Sequence, residues 1–162
     1  MDLLGVNTIM VMGPVPMIVR ADILKMSDRQ NDRVTRGATI PDHNAVIGIV
    51  EDENEIVKVL KKLFMRHHLE IGFVASDGDE AVDKIRMGTK KPRVLLMDNR
   101  LNRMNGIEAM GEILKIDPGI RIIFLSADRE AEKEALKAGA WKFLRKPASI
   151  HDIMAAVNSA LS

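Results

Sequence analysis

The feature that most constrains this chain is a strict alternation that begins at Ala45. Short apolar runs are each followed by a stretch with helical periodicity: "AVIGIV" (45–50), "IGFVAS" (71–76), "RVLLM" (93–97), "IRIIFLS" (120–126) and "WKFL" (141–144). Between and after them lie stretches whose apolar residues fall three and four apart, such as Ile56, Val57, Leu60, Leu63 and Phe64, or Ile107, Met110, Ile113 and Leu114. That spacing lays one apolar stripe along a helix. The runs are continuously apolar rather than alternating, as expected of strands covered on both faces of a parallel sheet. Gly88, the "DPG" at 117–119 and Gly139 supply stops, the last of them closing a fourth helix expected over 128–138, and Ser149 is a fair N-cap for a last helix over 149–161.

Five strand–helix units with short loops and right-handed crossovers leave few topologies. The expectation is an α/β fold, a doubly wound five-stranded parallel sheet of the flavodoxin-like kind with strand order 2-1-3-4-5 and five helices. Composition agrees. The chain is 46% apolar, but aromatics make up only 3%, so an aliphatic core with eleven methionines is implied. The net charge of +1 gives no electrostatic footprint for nucleic acid, and the lack of cysteine excludes disulfides and thiolate metal sites.

Residues 1–44 do not share the pattern. They contain "GPVP" (13–16) and the polar run "SDRQNDRVTRG" (27–37), and are expected to form an irregular or flexible extension with, at most, a short helix over 18–26. The apolar start carries Asp2 where a secretory signal wants a cation, and Asn7, Gly13, Pro14 and Pro16 interrupt it well before the ~20 residues of a spanning helix. No membrane association is expected.

In an open sheet of this kind, ligands bind beyond the carboxyl ends of the strands. The first strand ends in Glu51-Asp52, the third in Asp98, the fourth in Ser126, and the fifth just before Lys146-Pro147. Taken singly, Asp52 and Ser126 are plausible helix caps, and Asp98 could be a cap, a salt-bridge partner or a nucleophile. Taken together, three carboxylates would repel one another unless a cation joined them. Oxygen-only ligands with open positions suit Mg²⁺. A hydroxyl and an ammonium beside them suit a phosphoryl group, and one carboxylate can become an acyl phosphate.

With these motifs the chain resembles the receiver domains of two-component response regulators. The likeness covers 45–162 through "VEDE" (50–53), "LLMD" (95–98) with Gly106 eight residues on, "FLSA" (124–127) and "GAWKFLRKP" (139–147). It implies that Asp98 accepts a phosphoryl group from a histidine kinase or phosphotransfer protein. It further implies that Glu51, Asp52, Asp98 and the main-chain carbonyl of Arg100 hold Mg²⁺, and that Ser126 and Lys146 contact the phosphoryl oxygens. Ser126 and Phe143 would form the switch that relays occupancy to the face near Trp141, where an unidentified downstream protein would bind. A cis Lys146–Pro147 bond is also implied. The resemblance points to a cytoplasmic signalling protein rather than a turnover enzyme, either a stand-alone relay or a piece of a longer regulator. Two departures stand out: the acidic pair is Glu-Asp, and Asn102 occupies a position where the family usually has proline. Arg100 and Asp128 fall where the family tunes loss of the phosphoryl group.

Other chemistries fit less well. A haloacid-dehalogenase-type phosphatase needs a second Asp two residues past the nucleophile, where this chain has Arg100. "GIEAMG" (106–111) begins like a P-loop, but Glu112-Ile113 replace the required Lys and Ser/Thr. No GxGxxG is present, and an acidic "EDEN" after the first strand would repel a flavin phosphate. A phosphorylation-independent interaction module on the same fold remains the alternative. His67-His68 read as a favourable charge at a helix C-terminus rather than a metal pair.

Overall fold

The structure, a computed structural model, describes residues 45–88 and 90–162. The expectations for residues 1–44, including the short helix at 18–26, lie outside the described residues. Strands β1 (Val46–Val50), β2 (Glu70–Ala75), β3 (Val94–Asp98), β4 (Arg121–Ser126) and β5 (Lys142–Arg145) alternate with helices α1 (Asn54–Arg66), α2 (Gly78–Met87), α3 (Gly106–Ile116), α4 (Glu130–Ala138) and α5 (Ile150–Leu161). The strands form one sheet in the order β2-β1-β3-β4-β5, and every pairing is parallel. The flavodoxin-like, doubly wound architecture is therefore the observed one.

The apolar runs divide between two cores because successive strand residues point to opposite faces. Ile47, Ile49, Val94, Leu96, Ile123 and Leu125 face α1 and α5, which contribute Leu60, Phe64, Ile153 and Val157. Leu95, Met97, Ile122 and Phe124 face the other side with Ala81, Ile85, Met110, Ile113 and Ala135 from α2, α3 and α4. The whole of β3 is buried, Asp98 included. Covering both faces explains why the sequence showed unbroken apolar runs.

The helix ends follow local chemistry. Asp77 accepts from the Glu80 amide and Asn105 from the Glu108 amide, each at 2.9 Å. Ser149 and Asp152 form a reciprocal capping box at the start of α5. α2 and α4 end on Gly88 (φ +69) and Gly139 (φ +112), where the left-handed conformation favours a residue without a Cβ. At its far end α5 offers the Ala160 and Leu161 carbonyls to the guanidinium groups of Arg121 (2.7 Å) and Arg93 (3.3 Å), cations placed where the helix dipole is negative.

Three local expectations are corrected. Glu53, not Asp52, is the N-cap of α1, and it makes no side-chain cap. The fourth helix starts at Glu130 rather than 128, because the Asp128 carboxylate accepts from the Glu130 amide and holds a turn there. The charge expected on His67 at the C-terminus of α1 is disfavoured. Partial burial, with Arg66 and His68 alongside, lowers its pKa, while its backbone N–H bonds the Leu63 and Phe64 carbonyls. His68 follows in a left-handed backbone conformation, φ +57.

Candidate functional site

The ladder continues past the strand ends, and this is what assembles the polar edge. The Glu51 amide donates to the Ala75 carbonyl (3.0 Å), the Asn99 amide to Leu125 (3.0 Å), and the Lys146 amide to Ser126 (2.9 Å). Residues up to 95 positions apart in sequence, from Glu51 to Lys146, are thus fixed along one edge by main-chain bonds. Lys146–Pro147 is cis, as the resemblance implied. Gly106 is required by close approach: a Cβ there would lie 2.5 Å from the Asp98 carbonyl oxygen and 2.9 Å from the Phe124 ring. Only glycine lets the start of α3 lie against the end of β3.

Glu51, Asp52 and Asp98 each present a carboxylate oxygen, and these oxygens lie within 4.8 Å of one another. Lys146 Nζ donates to Asp98 Oδ1 at 2.8 Å, with both side chains about nine-tenths or more buried. Ser126 is buried on the adjoining strand, one position beyond the residue paired with Asp98. Its Oγ accepts from the Asp128 amide (3.1 Å) and from Asn99 Nδ2 (3.4 Å). Phe143 is half-buried and stacks on Phe124, ring centroids 6.2 Å apart. Arg100 lies in the loop two residues beyond Asp98 with its side chain exposed. The expected residues Glu51, Asp52, Asp98, Ser126 and Lys146 thus gather at the C-terminal edge of the sheet.

The pocket holds three carboxylates against one ammonium. Glu51 carries the consequence. Burial first, and then the charge of Asp98, push its pKa up to about 8, although the Glu53 amide (3.1 Å to Oε1) and Lys146 pull the other way. Such a group gains from a cation as well as from a proton. The donor set is all oxygen, clustered and partly open, which fits Mg²⁺ and not a soft metal. Glu51, Asp52 and Asp98 are the side chains that could hold it.

Two site contacts were not legible in the sequence. Asn99 reaches Ser126, and Asn102 Nδ2 reaches Asp52 Oδ2 at 3.3 Å. Asn102 was visible only as a departure from an expected proline.

A parallel sheet in this order with an acidic cluster at its switch point defines a flavodoxin-like domain of the CheY type. The chain matches the response regulator receiver domain over residues 47–158. It is 38% identical to the chemotaxis protein CheY of Thermotoga maritima over 112 residues, 68% of this chain and 92% of that protein. It is 35% identical to the transcriptional regulatory protein PdtaR of Mycobacterium tuberculosis over 116 residues, 70% of this chain but only 55% of that regulator. Among solved structures, the CheX–CheY–BeF3–Mg²⁺ complex from Borrelia burgdorferi contains a similar chain, with TM-score 0.68 and 28% identity over 73% of this chain and 90% of that one. The chain belongs to the response regulator receiver family of two-component systems. Members are generally signalling domains, and no helix among the described residues is long and apolar enough to cross a membrane.

Proposed function

We propose that the chain is a phosphoacceptor receiver, over 45–162, in which Asp98 takes a phosphoryl group from the phosphohistidine of a histidine kinase or phosphotransfer protein. The carrying observation is the buried Lys146–Asp98 contact beside Glu51 and Asp52. Lys146 occupies Oδ1, so Oδ2 of Asp98 is the attacking oxygen. A P–O bond forms there as the P–N bond of phosphohistidine breaks, and the imidazole leaves with the electron pair and takes up a proton. Lys146 stays within reach of the charge that develops on the transferring group. Glu51, Asp52, Asp98 and the main-chain carbonyl of Arg100 would hold Mg²⁺, which when bound offsets the negative charge of the phosphoryl oxygens. The likeness to the Borrelia burgdorferi complex, which contains both Mg²⁺ and BeF3, supports this reading.

Ser126 is the relay. Its hydroxyl is held by Asn99 and the Asp128 amide, and a phosphoryl oxygen on Asp98 would compete for it. Movement of Ser126 frees space that Phe143 enters from its stack on Phe124, a shift between two pre-existing states. The output is a change of protein partner at the face carrying Trp141, which is 38% exposed with the Arg121 guanidinium 5.8 Å from its ring centroid. The setting is cytoplasmic, and no step requires nucleic acid or a membrane.

The test is intact-protein mass after treatment with Mg²⁺ and a small phosphodonor such as acetyl phosphate. One added phosphoryl group in the wild type, lost in Asp98→Asn, is expected. No addition in the wild type would favour an interaction module that works without phosphorylation. Addition that persists in Asp98→Asn would remove Asp98 from the role.

A further inference from the structure

Asn102 has a position that the reading above does not use. The loop from Asn99 to Asn105 is pinned on both sides. The amides of Leu101 and Gly106 both donate to the Asn99 carbonyl, each at 3.2 Å, which folds the loop back on itself. Arg103 Nε lies 3.7 Å from Asp77 Oδ2, on the β2–α2 turn. Met104 packs so closely on Gly78 that a Cβ there would lie 2.9 Å from both its Cβ and its carbonyl oxygen. Between these anchors, Asn102 is exposed and its amide crosses to the β1–α1 turn to donate to Asp52 Oδ2 at 3.3 Å.

We infer that Asn102 is a positioning residue for the cation site: its side-chain amide orients the Asp52 carboxylate toward the Glu51–Asp98 cluster. This rests on the proposed Mg²⁺ site. Asp52 is half-buried, and its neighbour Glu51 is held by the Glu53 amide. Asp98 is tied to Lys146 and Asp52 shares a side-chain hydrogen bond with Glu51, so Asn102 is the donor that fixes Asp52 from the opposite loop. A neutral amide fixes the plane of the carboxylate without cancelling its charge, which a lysine there would do. It leaves one carboxylate oxygen for the metal. A proline at this place would stiffen the loop but carries no donor, so the two residues would serve the site by different means.

The two can be separated by Mg²⁺ binding to the unphosphorylated full chain, followed by backbone amide shifts around Asp98. Asn102→Ala is expected to weaken Mg²⁺ binding about fivefold, the loss of one net hydrogen bond. Asn102→Pro is expected to show the same loss, because stiffness alone does not replace the donor. In an Asp52→Ala background, Asn102→Ala is expected to change Mg²⁺ binding by less than about twofold, because the group it orients is gone. Unchanged binding in Asn102→Ala, recovery in Asn102→Pro, or a full fivefold loss that persists without Asp52 each overturns the inference. Failure of the wild type to bind Mg²⁺ at all overturns both the inference and the metal site on which it rests.

Discussion

Glu51 gives the most direct quantitative test of the site. Its pKa is raised from 4.5 to about 8, first by burial and then by the charge of Asp98. The folded chain therefore keeps a proton that the unfolded chain releases above about 4.5. Between these two values folding takes up one proton, so stability falls as pH rises, by about 1.4 kcal/mol per pH unit. The stabilising proton is fully present below the unfolded pKa and lost once pH passes the folded one. Across the whole window this one group accounts for up to about 5 kcal/mol, a large share of the stability of a domain this size. Glu51→Gln keeps the shape and removes the titration. The assay is urea unfolding of wild type and Glu51→Gln at pH 5, 6 and 7 with chelator present. The Gln variant should gain on the wild type by roughly 2–3 kcal/mol between pH 5 and pH 7. Parallel curves, with a gap constant to within about 0.5 kcal/mol, would refute the account of Glu51 as a buried acid crowded by Asp98.

Three further outcomes follow from single contacts. Lys146→Ala leaves the buried Asp98 carboxylate without its ammonium and should destabilise the metal-free protein by about 3 kcal/mol at neutral pH, measured by urea unfolding. Gly106→Ala forces a Cβ to within 2.5 Å of the Asp98 carbonyl oxygen, so a loss of roughly 1–3 kcal/mol is expected, together with reduced phosphoryl uptake because the end of β3 must shift. Ser149→Ala breaks the capping box that starts α5 and should cost about 1 kcal/mol, read as a melting temperature lowered by roughly 4 °C, with Mg²⁺ binding unchanged.

Much of this was legible because the sheet is covered on both faces. The central strands β1 and β3 were unbroken apolar runs, and the stripe Ile56, Val57, Leu60, Leu63 and Phe64 was buried as its spacing required. The strand ends were legible for the same reason: an apolar run that stops at an acid marks the rim of a sheet. Contacts between loops were not. Asn102 and Asp52 are 50 residues apart, and Asn99 and Ser126 are 27 apart. No periodicity links them, and only the three-dimensional course of the loops does. Helix starts were blurred where a polar turn competed with the first helical bond, as at Asp128, whose carboxylate satisfies the Glu130 amide and delays α4. The lowered pKa of His67 was also beyond reach of spacing, because it depends on burial and on Arg66 and His68 rather than on position in the helix.

The three acids at the rim differ in how their charge is relieved, and that difference gives each its place. Asp98 is paired with a buried ammonium, which keeps one of its oxygens occupied. Asp52 is half-exposed and takes a neutral donor from Asn102, which orients the carboxylate without neutralising it. Glu51 has the Glu53 amide and the more distant pull of Lys146 on one side, against burial, the charge of Asp98 and a side-chain hydrogen bond with Asp52 on the other, so it is the one that favours a proton. A cation bound among the three would have to displace that proton, which makes Glu51 the point at which metal binding, pH and fold stability are linked. On the proposed reading, the raised pKa of Glu51 therefore keeps the cluster's charge low until a cation arrives, while Lys146 and Asn102 hold the other two carboxylates in place.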